Sequence, residues 1–257
     1  MKAILTVSAI LFISTQVSLS QMRDVDTVSL HSLENKEIIV KIKFDYGFDK
    51  LILELNSDEK MIVKGFRGLT QDIKVINQKF IELRFSMRGG TGVRVCRYVL
   101  ICVSNNKLYR SIDQISLFSS VFKETYDASI DSLHLYDESS TYQVDFTGLK
   151  EVNNSFEMIA TEFVKAHSKI DPTQNYENQD TIQLHFDMEN KVFFNKFVNL
   201  DGSYLLWIDE NLNEQVNFRN EKFPSICSNQ GAIYVFFRHK WYIKHEDYHL
   251  EDTDFNH

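Results

Sequence analysis

Short polar connections separate most of the apolar runs in this sequence, and they limit the folds open to it. NSDEK, SNN and DMENK each join two runs rich in β-branched and aromatic residues. A connection of three to five residues can return the chain only as an antiparallel neighbour, because a parallel crossover needs about a dozen residues. The pattern therefore predicts an all-β fold, an antiparallel meander of hairpins whose sheets are either stacked or packed like a propeller.

Asn, Asp and Ser supply most of the predicted turns, since the chain has only nine glycines and two prolines. These side chains bond to nearby backbone groups, and Asn and Asp tolerate the left-handed conformation. Asp201–Gly202 is the strongest single turn signal, because a type I′ turn needs positive φ at both central residues. We expect a hairpin turn at that pair.

Residues 155–169 offer an alternative to strand structure. Their apolar side chains recur at helical spacing, and Asn154 and Glu157 fit a helix-capping box. As a strand, the same stretch has its alternation interrupted by Glu162. A short helix here would change the fold class to α+β. Residues 111–122 show the same ambiguity.

The first twenty residues have the organisation of a secretory signal peptide. Lys2 precedes an apolar stretch, and small and polar residues ending at Ser20 follow it. The apolar stretch is shorter than the roughly 20 residues that a transmembrane helix needs. We expect residues 1–20 to be removed, which leaves a secreted or periplasmic protein with no membrane insertion. Residues 21–257 are then predicted to form a single β-rich domain, with a subdivision near residues 120–132 as the alternative.

Acidic residues outnumber basic ones. The formal charge of −8 becomes −9 when the signal peptide is removed, because that segment contains one lysine and no acid. An acidic surface repels nucleic acid, so no nucleic-acid partner is expected. In general character, a signal peptide followed by Asn- and Phe-rich strands is similar to exported bacterial proteins, a likeness that implies no activity.

The three cysteines do not indicate a disulfide scaffold. Cys96 and Cys102 are six positions apart in one predicted strand, which separates their α-carbons by about 20 Å, too far for a disulfide. Whether Cys227 pairs with one of them is left open by the sequence. At least one thiol is expected to stay free.

The segment RGGTG, between two arginine-bearing runs, invites comparison with a phosphate-binding loop. It lacks the lysine that follows the last glycine in such loops, and an apolar run of strand character comes next. We interpret it as the connection of a hairpin. Arginines at strand ends in an acidic protein are expected to pair with neighbouring carboxylates or to lie in solvent. Under the alternative, Arg88 and Arg94 are candidate binding residues for a carboxylate or sulfate.

The pentapeptide HEDYH, residues 245–249, matches the zinc-protease pattern. That chemistry needs a helix, so that histidines four positions apart face the same metal ion. The preceding residues have strand character, and in an extended chain the two histidines stand about 13 Å apart. We predict no metal site and no cofactor, and His245 and His249 are zinc ligands only under the alternative of a zinc-dependent hydrolase.

Aromatic residues concentrate in the final third of the chain. Trp207, Trp241 and Tyr242 are candidate binding residues, because exposed rings stack on sugars or anchor a partner protein. A second sheet covering both faces of their hairpin would bury them instead.

Taken together, these features favour an exported, non-catalytic binding or structural module over an enzyme. Its expected partner is a protein or a glycan. The alternative is a secreted hydrolase, either zinc-dependent through HEDYH or a glycosidase, whose two carboxylates follow no spacing rule.

Overall fold

The computed structural model describes residues 22–45, 49–66, 72–87, 92–122, 138–168, 171–209 and 212–254. Within these ranges the antiparallel β-fold is confirmed, and 17 strands form three sheets. The N-terminal sheet has the order β1-β2-β3-β4. Its strands are β1 (Met22–His31), β2 (Glu37–Asp45), β3 (Lys50–Glu54) and β4 (Lys60–Lys64).

The central sheet is an eight-stranded meander in which each strand pairs with its neighbour in sequence. Its strands are β5 (Asp72–Ile76), β6 (Phe80–Ser86), β7 (Val93–Ser104), β8 (Lys107–Phe122), β9 (Glu138–Val152), β10 (Ser155–Ser168), β11 (Tyr176–Asp187) and β12 (Val192–Phe194). A 3₁₀ turn, Pro172–Gln174, connects β10 to β11.

The C-terminal sheet has five strands and is closed. Its strands are β13 (Lys196–Asp209), β14 (Leu212–Cys227), β15 (Ile233–Phe237), β16 (Lys240–Lys244) and β17 (His249–Asp252). Consecutive strands are antiparallel, but β17 also pairs in parallel with β13, and this pairing closes the sheet.

The helical alternative for residues 155–169 is wrong, because residues 155–168 form β10, which pairs with β9 and β11. Asn153 and Asn154 have φ angles of 50° and 62°, so they form a hairpin turn rather than a helix cap. Glu162 keeps the alternation of buried positions because it is itself buried and hydrogen-bonded. Residues 111–122 are likewise part of a strand, β8.

The predicted turn at Asp201–Gly202 is also wrong. Both residues lie inside β13, where the register with β14 shifts between Leu200 and Gly202. The φ of 91° at Gly202 therefore serves a bulge within a long strand. The prediction that asparagine forms turns is confirmed between β7 and β8, where Asn105 and Asn106 have φ angles of 49° and 58°.

Strand β7 lies at the centre of the packing and is buried on both faces from Arg97 to Ser104. Alternate side chains enter two different cores. Val99, Ile101 and Val103 pack against the N-terminal sheet. Tyr98, Leu100 and Cys102 face the second core, on the other side of the sheet. The arrangement is one of stacked sheets, with β7 in the shared layer.

The second core forms because the central sheet curls. The ring of Phe80 on β6 lies 5.0 Å from that of Phe156 on β10, although three strands intervene in the sheet. The C-terminal sheet adds Phe236 and Trp241 to the same core. Strands on opposite sides of the central sheet therefore share one apolar interior.

Candidate functional site

A cluster of buried charge lies where β4, β7, β8 and the end of β17 meet. The guanidinium of Arg97, 1% exposed, donates to both carboxylate oxygens of Asp113 at 2.5 Å. Arg97 also donates to Asp254 at 2.9 Å. Arg110 bridges the same two carboxylates at 2.9 and 2.8 Å. We call these four residues the arginine–aspartate cluster; its two cations and two anions compensate each other.

The cluster favours the charged forms of Asp254 and Arg97. Burial opposes ionisation of Asp254, but Arg110 and Arg97 lower the pKa of its carboxyl to about 2. Burial also disfavours the Arg97 cation, yet attraction to Asp113 and Asp254 raises the pKa of Arg97 above its ordinary value. Arg97 and Asp254 therefore stay ionised at neutral pH.

The same cluster covers the free edge of β4. Arg97 donates to the carbonyl of Lys64 at 2.9 Å, and Arg110 donates to the carbonyl of Ile62. The N–H of Lys64 points at Asp254, with the oxygen 3.4 Å away. Side-chain charges thus take the place of a neighbouring strand, so the cluster has a structural role.

The arginines predicted as binding residues are not part of this cluster. Arg88 lies outside the described residues, and Arg94 is exposed near the start of β7. Arg97 was not predicted, although its position on the same face as Val99 and Ile101 signalled that it would be buried. Periodicity located the residue, but nothing in the sequence showed which acids would reach it.

Trp241 and Tyr242 belong to the core and not to a surface. Trp241 is 1% exposed and its indole N–H donates to the carbonyl of Arg110 at 3.0 Å. Tyr242 is 4% exposed, and burial raises its pKa to about 12. Trp241 packs against the central sheet and Tyr242 lies in the core of the C-terminal sheet, so both faces of their hairpin are covered.

Trp207, by contrast, is 37% exposed, on β13. The parallel pairing of β13 with β17 sets Trp207 opposite Glu251 and Leu205 opposite His249. The rings of Trp207 and His249 are 6.0 Å apart, centroid to centroid. Closure of the C-terminal sheet therefore brings the exposed tryptophan next to the HEDYH segment.

Residues 245–249 form the chain reversal between β16 and β17. The N–H of His245 donates to the carbonyl of His249 at 2.9 Å, and Tyr248 has a left-handed φ of 64°. The helix that the zinc-protease motif requires is not formed by this segment, so the two imidazoles do not share a helical face. The described residues include no group of three or more His, Cys, Asp or Glu side chains arranged to hold a metal ion.

Each imidazole instead contacts its own carboxylate. His245 Nε2 lies 2.8 Å from Glu251, and His249 Nδ1 lies 2.8 Å from Asp247. The contact with His249 lowers the pKa of Asp247 below its usual range. These pairs hold the rings in defined orientations. We call Trp207, His245, Asp247, His249 and Glu251 the Trp207 surface.

The Trp207 surface combines an aromatic face with hydrogen-bonding groups at its border. Tyr248, 60% exposed, lies between Asp247 and His249 in the sequence and packs against Tyr204 with 5.4 Å between ring centroids. An aromatic face bordered by polar groups suits a ligand that is apolar on one side and polar around its rim. Of the aromatic residues predicted to bind, Trp207 is the one that the structure places at a surface with other candidate groups.

No family model, curated protein or solved structure matches this chain. Among the described residues, no helix has the length and apolar character needed to span a lipid bilayer. All three cysteines are free thiols, so Cys227 is not bonded to Cys96 or Cys102. Burial raises the pKa of the Cys102 thiol to about 12, which makes it a poor nucleophile.

Proposed function

We propose that this protein is an exported, non-catalytic module that binds carbohydrate through the Trp207 surface. The observation that carries the proposal is the exposed Trp207 ring beside an imidazole, with both nearby imidazoles oriented by carboxylates. A sugar ring has apolar C–H faces and a rim of hydroxyls. It therefore matches an aromatic face with hydrogen-bonding groups at its border.

The surface is supported by the packed core of the C-terminal sheet. Leu206 and Leu250, which alternate with Trp207 and Glu251 along β13 and β17, are fully buried inside the C-terminal sheet. A preformed surface loses little conformational entropy when a ligand binds, which favours affinity. The export part of the proposal rests on the signal-peptide pattern of residues 1–20.

A Trp207→Ala variant tests the proposal. The mature protein is assayed against soluble β-glucan, mannan, xylan and chitin oligosaccharides by titration calorimetry. We expect one of these classes to bind the wild type, and the variant to bind it at least tenfold more weakly because the stacking face is lost. A His249→Gln variant should give a smaller loss, since it keeps the indole ring.

Phe197→Ala is the matched control, because Phe197 is another exposed aromatic on β13, 48% accessible. It should bind like the wild type. Equal losses in Phe197→Ala and Trp207→Ala, or no binding of any oligosaccharide by the wild type, would contradict the proposal. Circular dichroism of both variants checks that the fold is retained.

A further inference from the structure

The central sheet has a long free edge at β11. β10 pairs with β11 continuously from Tyr176 to His185, whereas β12 pairs only with residues 185–187. Among the described residues, no strand pairs with residues 176–184 on the side away from β10. In an antiparallel strand every second residue directs its N–H and C=O away from the partner. About 30 Å of β11 therefore presents backbone groups that can pair with another strand.

This edge lacks three of the devices that protect sheet edges against strand addition, namely proline, lysine and a bulge. Residues 176–184 contain no proline and no lysine, and their register with β10 has no bulge. The ends of the sheets differ: the arginine–aspartate cluster covers β4, a bulge interrupts β1, and β5 and β12 are five and three residues long. Parts of β8, β9, β13 and β14 are also unpaired on one side, but each of these parts contains a lysine and a register shift. The β11 edge is thus long, regular and open.

Two carboxylates lie opposite each other in the middle of this edge. Glu162 of β10 is in register with Asp180 of β11. Glu162 is 2% exposed and accepts hydrogen bonds from the Tyr142 hydroxyl at 3.2 Å and the Asn229 N–H at 2.9 Å. Asp180 accepts from two neutral side-chain amides. No lysine or arginine of the described chain forms an ion pair with either acid, although like charges in direct register are unfavourable.

We propose that the β11 edge binds an extended segment of a partner protein by strand addition, with a lysine or arginine of that segment opposite Asp180. Residues facing each other across an added strand have their β-carbons about 5 Å apart. A cation at that position compensates the Glu162 and Asp180 carboxylates. The added strand also pairs the free backbone groups, which is the general mode of β-strand addition.

A second copy of this chain suits the edge less well. Residues 176–184 contain Glu177 and Asp180 and no Lys or Arg, so two copies paired edge to edge bring only acids together. Charge complementarity therefore selects a basic partner segment. This surface is separate from the Trp207 surface, so the two proposals are tested independently.

Two synthetic nine-residue peptides of alternating Thr and Val, identical except for a central Lys or Glu, test the inference on the mature protein. We expect the Lys peptide to bind at least fivefold more tightly, by fluorescence anisotropy. It should also slow amide hydrogen exchange in residues 176–184. Asp180→Asn should remove the preference between peptides, and Asp180→Lys should reverse it. Glu177→Gln, on the other face of the same strand, should leave the preference unchanged.

Equal affinity for the two peptides would overturn the inference, as would protection of amides elsewhere than on β11. Sedimentation velocity tests whether a second copy of this chain occupies the β11 edge instead. A concentration-dependent dimer of the peptide-free protein that protects the amides of residues 176–184 would assign the edge to a second copy. Thermal unfolding of each variant confirms that the fold is intact before binding is compared.

Discussion

Two strand edges of this molecule differ in whether their outer backbone groups have hydrogen-bond partners. At β4, the carbonyls of Ile62 and Lys64 accept hydrogen bonds from arginines, and Asp254 lies within reach of the Lys64 N–H. At β11, residues 176–184 have no described strand on the side away from β10, and their charged side chains are both acidic. Free backbone groups alone therefore do not decide whether an edge is closed. The charges that the rest of the fold brings to the edge decide it.

The two edges also differ in what their charges do for stability. The arginine–aspartate cluster is buried, and a buried charge that loses its partner is costly. At β11 water reaches the backbone, and exposed ion pairs contribute little. Perturbations at the β4 edge should therefore change the free energy of unfolding far more than perturbations at β11.

The largest effect is expected for Asp113→Ala. The variant leaves Arg97 buried without its bidentate partner, so the free energy of unfolding should fall by about 3–5 kcal/mol. Urea unfolding followed by tryptophan fluorescence measures it. Asp145→Ala is the control: Asp145 is exposed and 3.8 Å from Arg84, and its loss should cost less than about 0.5 kcal/mol. Similar losses of stability in the two variants would show that the buried cluster stabilises the fold no more than an exposed ion pair does.

An intermediate effect is expected from acid titration of Asp254. The pKa of the Asp254 carboxyl is about 2 in the folded protein and about 3.9 in the unfolded chain. The ionised carboxyl therefore stabilises the folded state fully at pH values above the unfolded pKa, and this stabilisation is lost as the pH falls through the folded pKa. The folded state should lose about 2–3 kcal/mol between about pH 5 and pH 1 from this group. Urea midpoints measured across that range test it.

The Asp254→Asn variant isolates that contribution. It lacks the titrating carboxyl, so its stability should change less between pH 5 and the acid limit than that of the wild type. Parallel pH dependence of the two proteins would show that Asp254 does not hold the β4 edge through its charge.

The smallest effect is expected for Glu177→Gln at the β11 edge. Glu177 pairs with Lys165 at 3.1 Å, and both side chains are more than half exposed. The free energy of unfolding should change by less than about 0.5 kcal/mol. A loss above about 1 kcal/mol in urea unfolding would mean that the β11 edge contributes to stability as a closed edge does.

The fold class was predictable because its signals are local. The SNN connection became a hairpin turn since Asn105 and Asn106 accept positive φ, and the alternation along β7 placed Arg97 and Val99 on one face. The prediction of a turn at Asp201–Gly202 and the helical alternative for residues 155–169 are both wrong, for related reasons. Positive φ serves bulges as well as turns, and a short apolar stretch with a polar interruption fits either period when its neighbours are unknown.

The candidate site was predictable only in part. Trp207 and the two histidines of HEDYH were noticed separately, but their proximity follows from the parallel pairing of β13 with β17, which joins segments distant in sequence. Trp241 looked equally suitable in the sequence and is buried, since the central sheet covers it. Exposure of an aromatic residue depends on what packs over it, and no local pattern records that.

Antiparallel hairpins follow from the sequence alone, because turn chemistry and side-chain alternation act over a few residues. Which strand edges are closed and which aromatic side chains stay exposed follows from how the sheets pack. Both outcomes depend on contacts such as those of Arg97 with Asp254, whose partners lie far apart in the chain and meet only after the sheets have packed.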